Sequence, residues 1–188
     1  MNSEILINLI IIIVLAIYFK GYFQLRYFTL IPTIELYPNN DIEVLEVNNF
    51  VKQNNRYYLD LFKKTDETVV NAFIETVDMD REELNKMALS LHLILVTLLL
   101  KTFFNRARPK QVDTTLNIQT STTANTPAYP SGHCIQAYYL AKKLSIYYPN
   151  KRDKLFKLAE DCAMARVYAG LHYPSDNEFG KYISLNIL

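Results

Sequence analysis

The chain has 188 residues, half of them apolar and 13% aromatic, with a formal net charge of +1. That length suits one domain with a real core, and that composition excludes disorder. The balanced charge lacks the basic stripe a nucleic-acid partner needs, and two cysteines without a C-x-x-C, Cys134 and Cys162, exclude a disulfide framework or a zinc cluster.

Ile5 to Phe19 is an unbroken apolar run between Glu4 and Lys20. It is short for a bilayer span, which takes about 20 residues, but Gly21 to Ile34 stays largely apolar and Lys20 can snorkel. The run has neither the positive start nor the small-residue cleavage site of a signal peptide. It therefore predicts a single-pass membrane anchor over 1–31. Lys20 and Arg26 follow the run, a positive-inside signal for a cytoplasmic domain with which the absence of an N-x-Ser/Thr acceptor agrees, and these signals leave the side of the membrane open.

Residues 32–41 (PTIELYPNND) read as a linker, since two prolines and an Asn-Asn-Asp cluster cannot continue a helix. Two helical patterns then run to Val77, parted at Asn54-Asn55. A long helix is expected from Glu83 to Asn105, with an apolar centre (Leu91 to Leu100) that suits a core helix better than a span and takes His92 into the core. Gln111 to Pro130, rich in Thr, Asn and Ser, reads as a long loop. Loops of that length in compact domains tend to be functional. Helices follow at Gly132–Tyr148, Arg152–Gly170 and Asp176–Asn186, the last short because twelve residues remain after Asp176. Glycine is scarce and apolar residues recur at helical spacing, which predicts an all-α fold.

Three short motifs carry chemistry. In Lys101-x6-Arg108-Pro109 the spacing is almost two helical turns, so both cations are expected on one face, and Pro109 turns Arg108 out of the helix. An arginine fork and a lysine point charge suit a phosphate. In Pro130-Ser131-Gly132-His133, Ser131 is a good N-cap, Gly132 allows close approach to the helix's free N–H groups, and His133 enters the first turn where an acid or base is useful. In Arg166-x5-His172-x3-Asp176, Gly170 can close one helix. Ser175 with Glu178 forms a capping box for the next, which places His172 at a rigid corner with Asp176 able to accept its Nδ1–H. That is a nucleophile with its orienter.

Taken in order, these motifs resemble the three-part signature of the type 2 phosphatidic acid phosphatase (PAP2) and vanadium haloperoxidase superfamily. The resemblance covers residues 42–188 and implies a helical bundle with the site at the ends of its core helices. It further implies a metal-free, cofactor-free phosphatase acting on phosphate esters. His172 would attack phosphorus, Asp176 orient it and His133 protonate the leaving alcohol, while Lys101, Arg108, Ser131, Gly132 and Arg166 hold the phosphoryl oxygens. Ala165 departs from the pattern, where serine is usual; the lost hydroxyl is worth about 1 kcal/mol if it made a net hydrogen bond. A vanadate-dependent haloperoxidase would use the same residues, and a membrane-tethered phosphate-binding protein would keep them without turnover.

Overall fold

Local signals divide the chain into helices, and the computed structural model, which describes Ile11 and residues 37–188, follows many of them. The expected anchor over residues 5–19 lies outside the described residues, as does most of the linker. Among the described residues there are nine α-helices, a 3-10 turn and no strand. They are α1 (Asn40–Gln53), α2 (Arg56–Thr65), α3 (Val70–Phe73), α4 (Arg81–Ala88) and α5 (Leu91–Phe104), then α6 (Pro109–Val112), α7 (Gly132–Tyr147), α8 (Arg152–Tyr168) and α9 (Pro174–Asn186). The fold is all-α.

The termini of these helices have clear local causes. Asn39 caps α1, its side chain accepting from the Asp41 and Ile42 N–H groups, and Asn54 ends α1 in the left-handed region at φ 46°. Gly170 ends the α8 segment at φ +76°, with its N–H on the Val167 carbonyl and the Leu171 N–H on the Arg166 carbonyl. This paired-bond closure needs a residue tolerant of positive φ. A Cβ at 170 would stand 2.7 Å from Cγ2 of Ile118.

The core forms where α7 and α8 pack together, with α9 against α7, and α1 and α2 against α8. α7 buries Cys134, Ile135, Ala137, Tyr138, Leu140, Ala141 and Leu144, more than half its circumference. Small residues let the neighbours come close: a Cβ at Gly180 of α9 would meet the Ser131 carbonyl at 3.1 Å and Cys134 at 3.2 Å. Cys134 and Cys162 are both free and buried.

Three expectations need correction. The helix expected over Glu83–Asn105 is broken at Leu89-Ser90, where Ser90 takes cap geometry (φ −57°, ψ 140°) and α5 begins afresh. Serine before an apolar run is an N-cap signal, and here it overrides the continuous pattern. α5 is also less of a core helix than its composition suggests: it buries only Leu93, Thr97 and Lys101. His92, assigned to the core, is exposed, because it falls on the opposite side from that stripe. Leu91, Leu99 and Phe103 are exposed with it. By length and composition the stretch Arg81–Val112 is long and apolar enough to cross a membrane, although a core helix can pass the same test. Third, α9 starts at Pro174 rather than Asp176. Tyr173 is its N-cap, and the Asp176 side chain reaches back to the Tyr173 N–H, doing the job expected of a Ser175–Glu178 box.

Candidate active site

Chain reversals between helices bring the three motifs together. α5 ends at Asn105, in the left-handed region at φ 42°, so no helix runs through from Lys101 to Arg108 and the shared helical face expected for them does not form. The two cations converge by another route. Lys101 Nζ donates to the Pro127 carbonyl at 2.6 Å, and Arg108 Nε donates to the adjacent Thr126 carbonyl at 2.8 Å. Arg108 is extended (φ −75°, ψ 156°) ahead of Pro109, which the proline ring favours.

His172 is buried between Arg108 and Asp176. Arg108 Nη1 lies 3.2 Å from its Nε2, and Asp176 Oδ2 lies 2.9 Å from its Nδ1. Guanidinium can only donate and carboxylate only accept, so Nδ1 carries the proton and Nε2 presents its lone pair. Burial, then the charges of Arg108, Lys101 and Arg166, hold this imidazole well below its ordinary range, which keeps it neutral. Arg108 Nη1 also donates to the Leu171 carbonyl at 2.8 Å, fixing the guanidinium beside the ring.

Ser131 and Gly132 open α7 next to these groups. The Ser131 hydroxyl accepts from the Cys134 N–H at 3.4 Å, and the Ser131 N–H donates to the Asp176 carbonyl at 3.0 Å, joining the second motif to the third. Gly132 has ordinary contacts only: an added Cβ would lie 3.6 Å from Thr97 and 3.7 Å from Lys101 Cε. His133 is half-buried, and its Nε2 donates to the main-chain oxygen of Asp66 at 2.9 Å, which leaves Nδ1 bare in the neutral ring. Burial and the charge of Arg166 push His133 down to about 3. Arg166 donates to Asp66 Oδ1 at 2.6 Å and to Ser121 and Thr123 hydroxyls at 3.3 Å, while its Nε is buried without a hydrogen-bond partner. A buried donor left unsatisfied is costly, and an anion beside it would remove that cost. Ala165 packs with Phe62, Ala169 and Leu171.

Two residues at this site escaped the motif reading. Arg106, with no exposed side-chain surface, donates from Nη1 to Asp176 Oδ1 and Ser175 Oγ (2.7 Å each) and from Nη2 to Glu43 Oε2 at 2.6 Å. Its guanidinium lies 3.8 Å from the Tyr173 ring centre. Burial raises the Asp176 carboxyl, against Arg106 and the Tyr173 N–H, which pull it down. Asp66 is the second. Burial raises its carboxyl, but hydrogen bonds from Ser121, Arg166 and the Thr122 N–H outweigh that and hold it well below the usual carboxylate range. One residue thus grips Arg166 with its side chain and His133 with its backbone. Arg106 is adjacent to a motif and could have been flagged for that; Asp66 carries no local signal.

A family model described as the PAP2 superfamily matches residues 84–188, more than half of the chain and all three motifs. The chain belongs to the PAP2 superfamily. No curated protein matches it. PAP2 membership carries phosphatase or haloperoxidase-type chemistry with it, and the site described above lies within the matched region or, for Glu43 and Asp66, packs onto it. Among the described residues, no group of three or more His, Cys, Asp or Glu is placed to hold a metal ion.

Proposed function

We propose that this PAP2 protein is a metal-free phosphomonoesterase that carries the phosphoryl group on His172. The observation that carries the reading is the placement of His172, with Nδ1 2.9 Å from the Asp176 carboxylate and Nε2 3.2 Å from Arg108 Nη1. In the first step Nε2 attacks phosphorus, the P–O bond to the alcohol breaks, and its electron pair stays on the ester oxygen, which takes a proton from His133. In the second, water gives a proton to His133 and attacks phosphorus, and the P–N bond returns its electron pair to Nε2. Lys101, Arg108, Arg166, the Ser131 hydroxyl and the Gly132 N–H hold the three equatorial oxygens as charge spreads over them. The protein alone keeps both imidazoles neutral. A bound phosphate dianion offsets Arg166 and raises His133 toward the range of a working acid.

The alcohol side of the ester has to lie near His133. A cavity of about 190 Å³ is lined by His133 and Gly132 of α7 and by Leu93, Ile94, Leu98 and Lys101 of α5. Its apolar side chains favour an alcohol with a hydrocarbon portion, so lipid phosphates such as phosphatidic acid fall within the proposed substrate range. We assign residues 1–31 to a membrane anchor, 32–41 to a linker and 42–188 to the phosphatase domain, and the exposed apolar side of α5 supports a site held close to a bilayer. The test uses full-length protein with an aryl phosphate and with phosphatidic acid in mixed micelles. Wild type should release phosphate in the presence of EDTA and form an acid-labile, base-stable phosphoenzyme, and His172→Ala should abolish both while keeping its helical circular dichroism. Activity that disappears with EDTA and returns with zinc or magnesium would overturn the mechanism, and cleavage of the aryl ester without the lipid would remove the lipid substrate.

A further inference from the structure

The first cavity suits the alcohol and is poorly suited to the other product. Besides its apolar side chains it is lined by Lys101 and by Glu67, whose carboxylate offsets the lysine's attraction for a departing phosphate dianion. On the far side of the Thr126–Pro127 segment lies a larger cavity of about 430 Å³ with a different balance of charge. Arg108 and Lys110 bring two cations to its wall, while the Arg106 guanidinium stays buried against Glu43 and Asp176, and no carboxylate is among the described residues that line it. Gln111, Gln119 and Asn125 add amide groups. Thr126 lines both cavities, so this segment is the partition between them. Its two carbonyls are the acceptors already taken by Arg108 and Lys101, the cations that would hold phosphate oxygens. Arg108 belongs to both sides: one Nη reaches His172 Nε2 while the residue lines the larger cavity.

We propose that the larger cavity is a binding site for inorganic phosphate, through which that product leaves after the alcohol has departed past His133. This rests on the phosphatase reading and adds a second door to it. Hydrolysis of the phosphohistidine leaves the phosphate against Arg108, and from there the field falls toward Lys110 and the amides rather than toward Glu67 and the leucines. Thr126 and Pro127 must give up their hydrogen bonds for the anion to pass, and the anion itself offers the two cations a better acceptor.

Asn125 is exposed, lines the larger cavity and is not among the groups assigned to catalysis, so it tests the idea by charge. Full-length wild type, Asn125→Lys and Asn125→Asp are compared for the inhibition constant of inorganic phosphate and for kcat/KM on an aryl phosphate. A unit charge about 8 Å from a dianion changes binding by about three- to fivefold. The lysine variant should lower the phosphate inhibition constant by that factor and the aspartate variant should raise it, with kcat/KM moving less than twofold in either. Equal shifts in both quantities would mean a general field at one shared site and would overturn the proposal. Calorimetric titration with inorganic phosphate separates the two readings. If wild type hydrolyses no ester yet phosphate affinity still ranks lysine over wild type over aspartate, the phosphatase reading fails and the anion site stands. Identical phosphate affinities in all three proteins refute the anion site whatever the activity.

Discussion

Replacing Arg106 by methionine isolates what the buried ionic network contributes. The guanidinium has no exposed surface and binds two carboxylates, Glu43 at 2.6 Å and Asp176 at 2.7 Å, with further bonds to Asn40 Oδ1 and the Ser175 hydroxyl. Methionine keeps the length and the contact with the surrounding tyrosine rings but leaves both carboxylates without their cation. Breaking a buried pair in this way costs about 3–5 kcal/mol. Part of the loss is cushioned, because the Ser175 N–H and hydroxyl still serve Glu43 and the Tyr173 N–H still serves Asp176. The lower end, about 3 kcal/mol, is therefore expected, a large share of a typical domain's 5–15 kcal/mol. Urea unfolding of the full chain in mild detergent measures it. Adding Glu43→Leu to the same chain should recover part of the loss, since it removes one of the stranded charges. A second readout is chemical: without Arg106 the charge of Asp176 acts fully on His172, so the acid limb of the kcat/KM profile should move to higher pH. A stability loss below about 1 kcal/mol together with an unmoved acid limb would refute the account of Arg106 as the group that sets the charge Asp176 presents to His172.

Two further outcomes follow from the same geometry. His172 is depressed in the folded protein, so the unfolded chain, with its histidine near 6.5, binds more protons below that pH, and the contribution of this residue to stability is complete above about 6.5 and falls as the medium is acidified. Chemical denaturation between pH 7.5 and 5 should show this decline, at most about 1.4 kcal/mol per pH unit for one site, and His172→Gln should remove its share while that of His133 remains; an equal slope in the variant would count against a neutral buried ring. Gly170→Ala should lower stability by about 1–3 kcal/mol through its positive φ and the contact with Ile118, and adding Ile118→Ala should relieve the contact but not the backbone part; an unchanged midpoint in the single variant would contradict the left-handed turn.

The parts of this site that can be read in the sequence are those whose chemistry is local. Ser131 before Gly132-His133, Gly170 after a helical run and Pro174 after His172-Tyr173 each announce a helix end within a few positions, and helix ends are where the site's side chains turn inward. What spacing could not supply is partnership across the chain. Arg106 stands two places from Arg108, and both are arginines near a helix exit, yet one faces Glu43, 63 positions away, and the other His172. Asp66 meets Arg166 across 100 positions. Spacing also misled where one backbone angle intervened: Asn105 breaks the helix on which Lys101 and Arg108 were to share a face, and Ser90 does the same one helix earlier.

α5 shows why an apolar run alone decides so little. Its buried stripe, Leu93, Thr97 and Lys101, advances by four residues and carries one phosphate-binding candidate at its end. A stripe that narrow leaves most of the circumference free, and Leu91, Leu99 and Phe103 occupy it. In water such a surface is a liability, most of all at Leu91, which is 72% exposed. Its retention beside the apolar-walled cavity makes sense if one helix serves two tasks, presenting Lys101 inward and meeting a hydrocarbon environment outward. The same Leu93, Ile94 and Leu98 that wall the cavity are then continuous with the surface from which an alkyl chain would come. Membrane association and the apolar side of the proposed substrate would then be two consequences of one helix. An anchor over residues 5–19 would bring that helix to the bilayer without being the sole reason it belongs there.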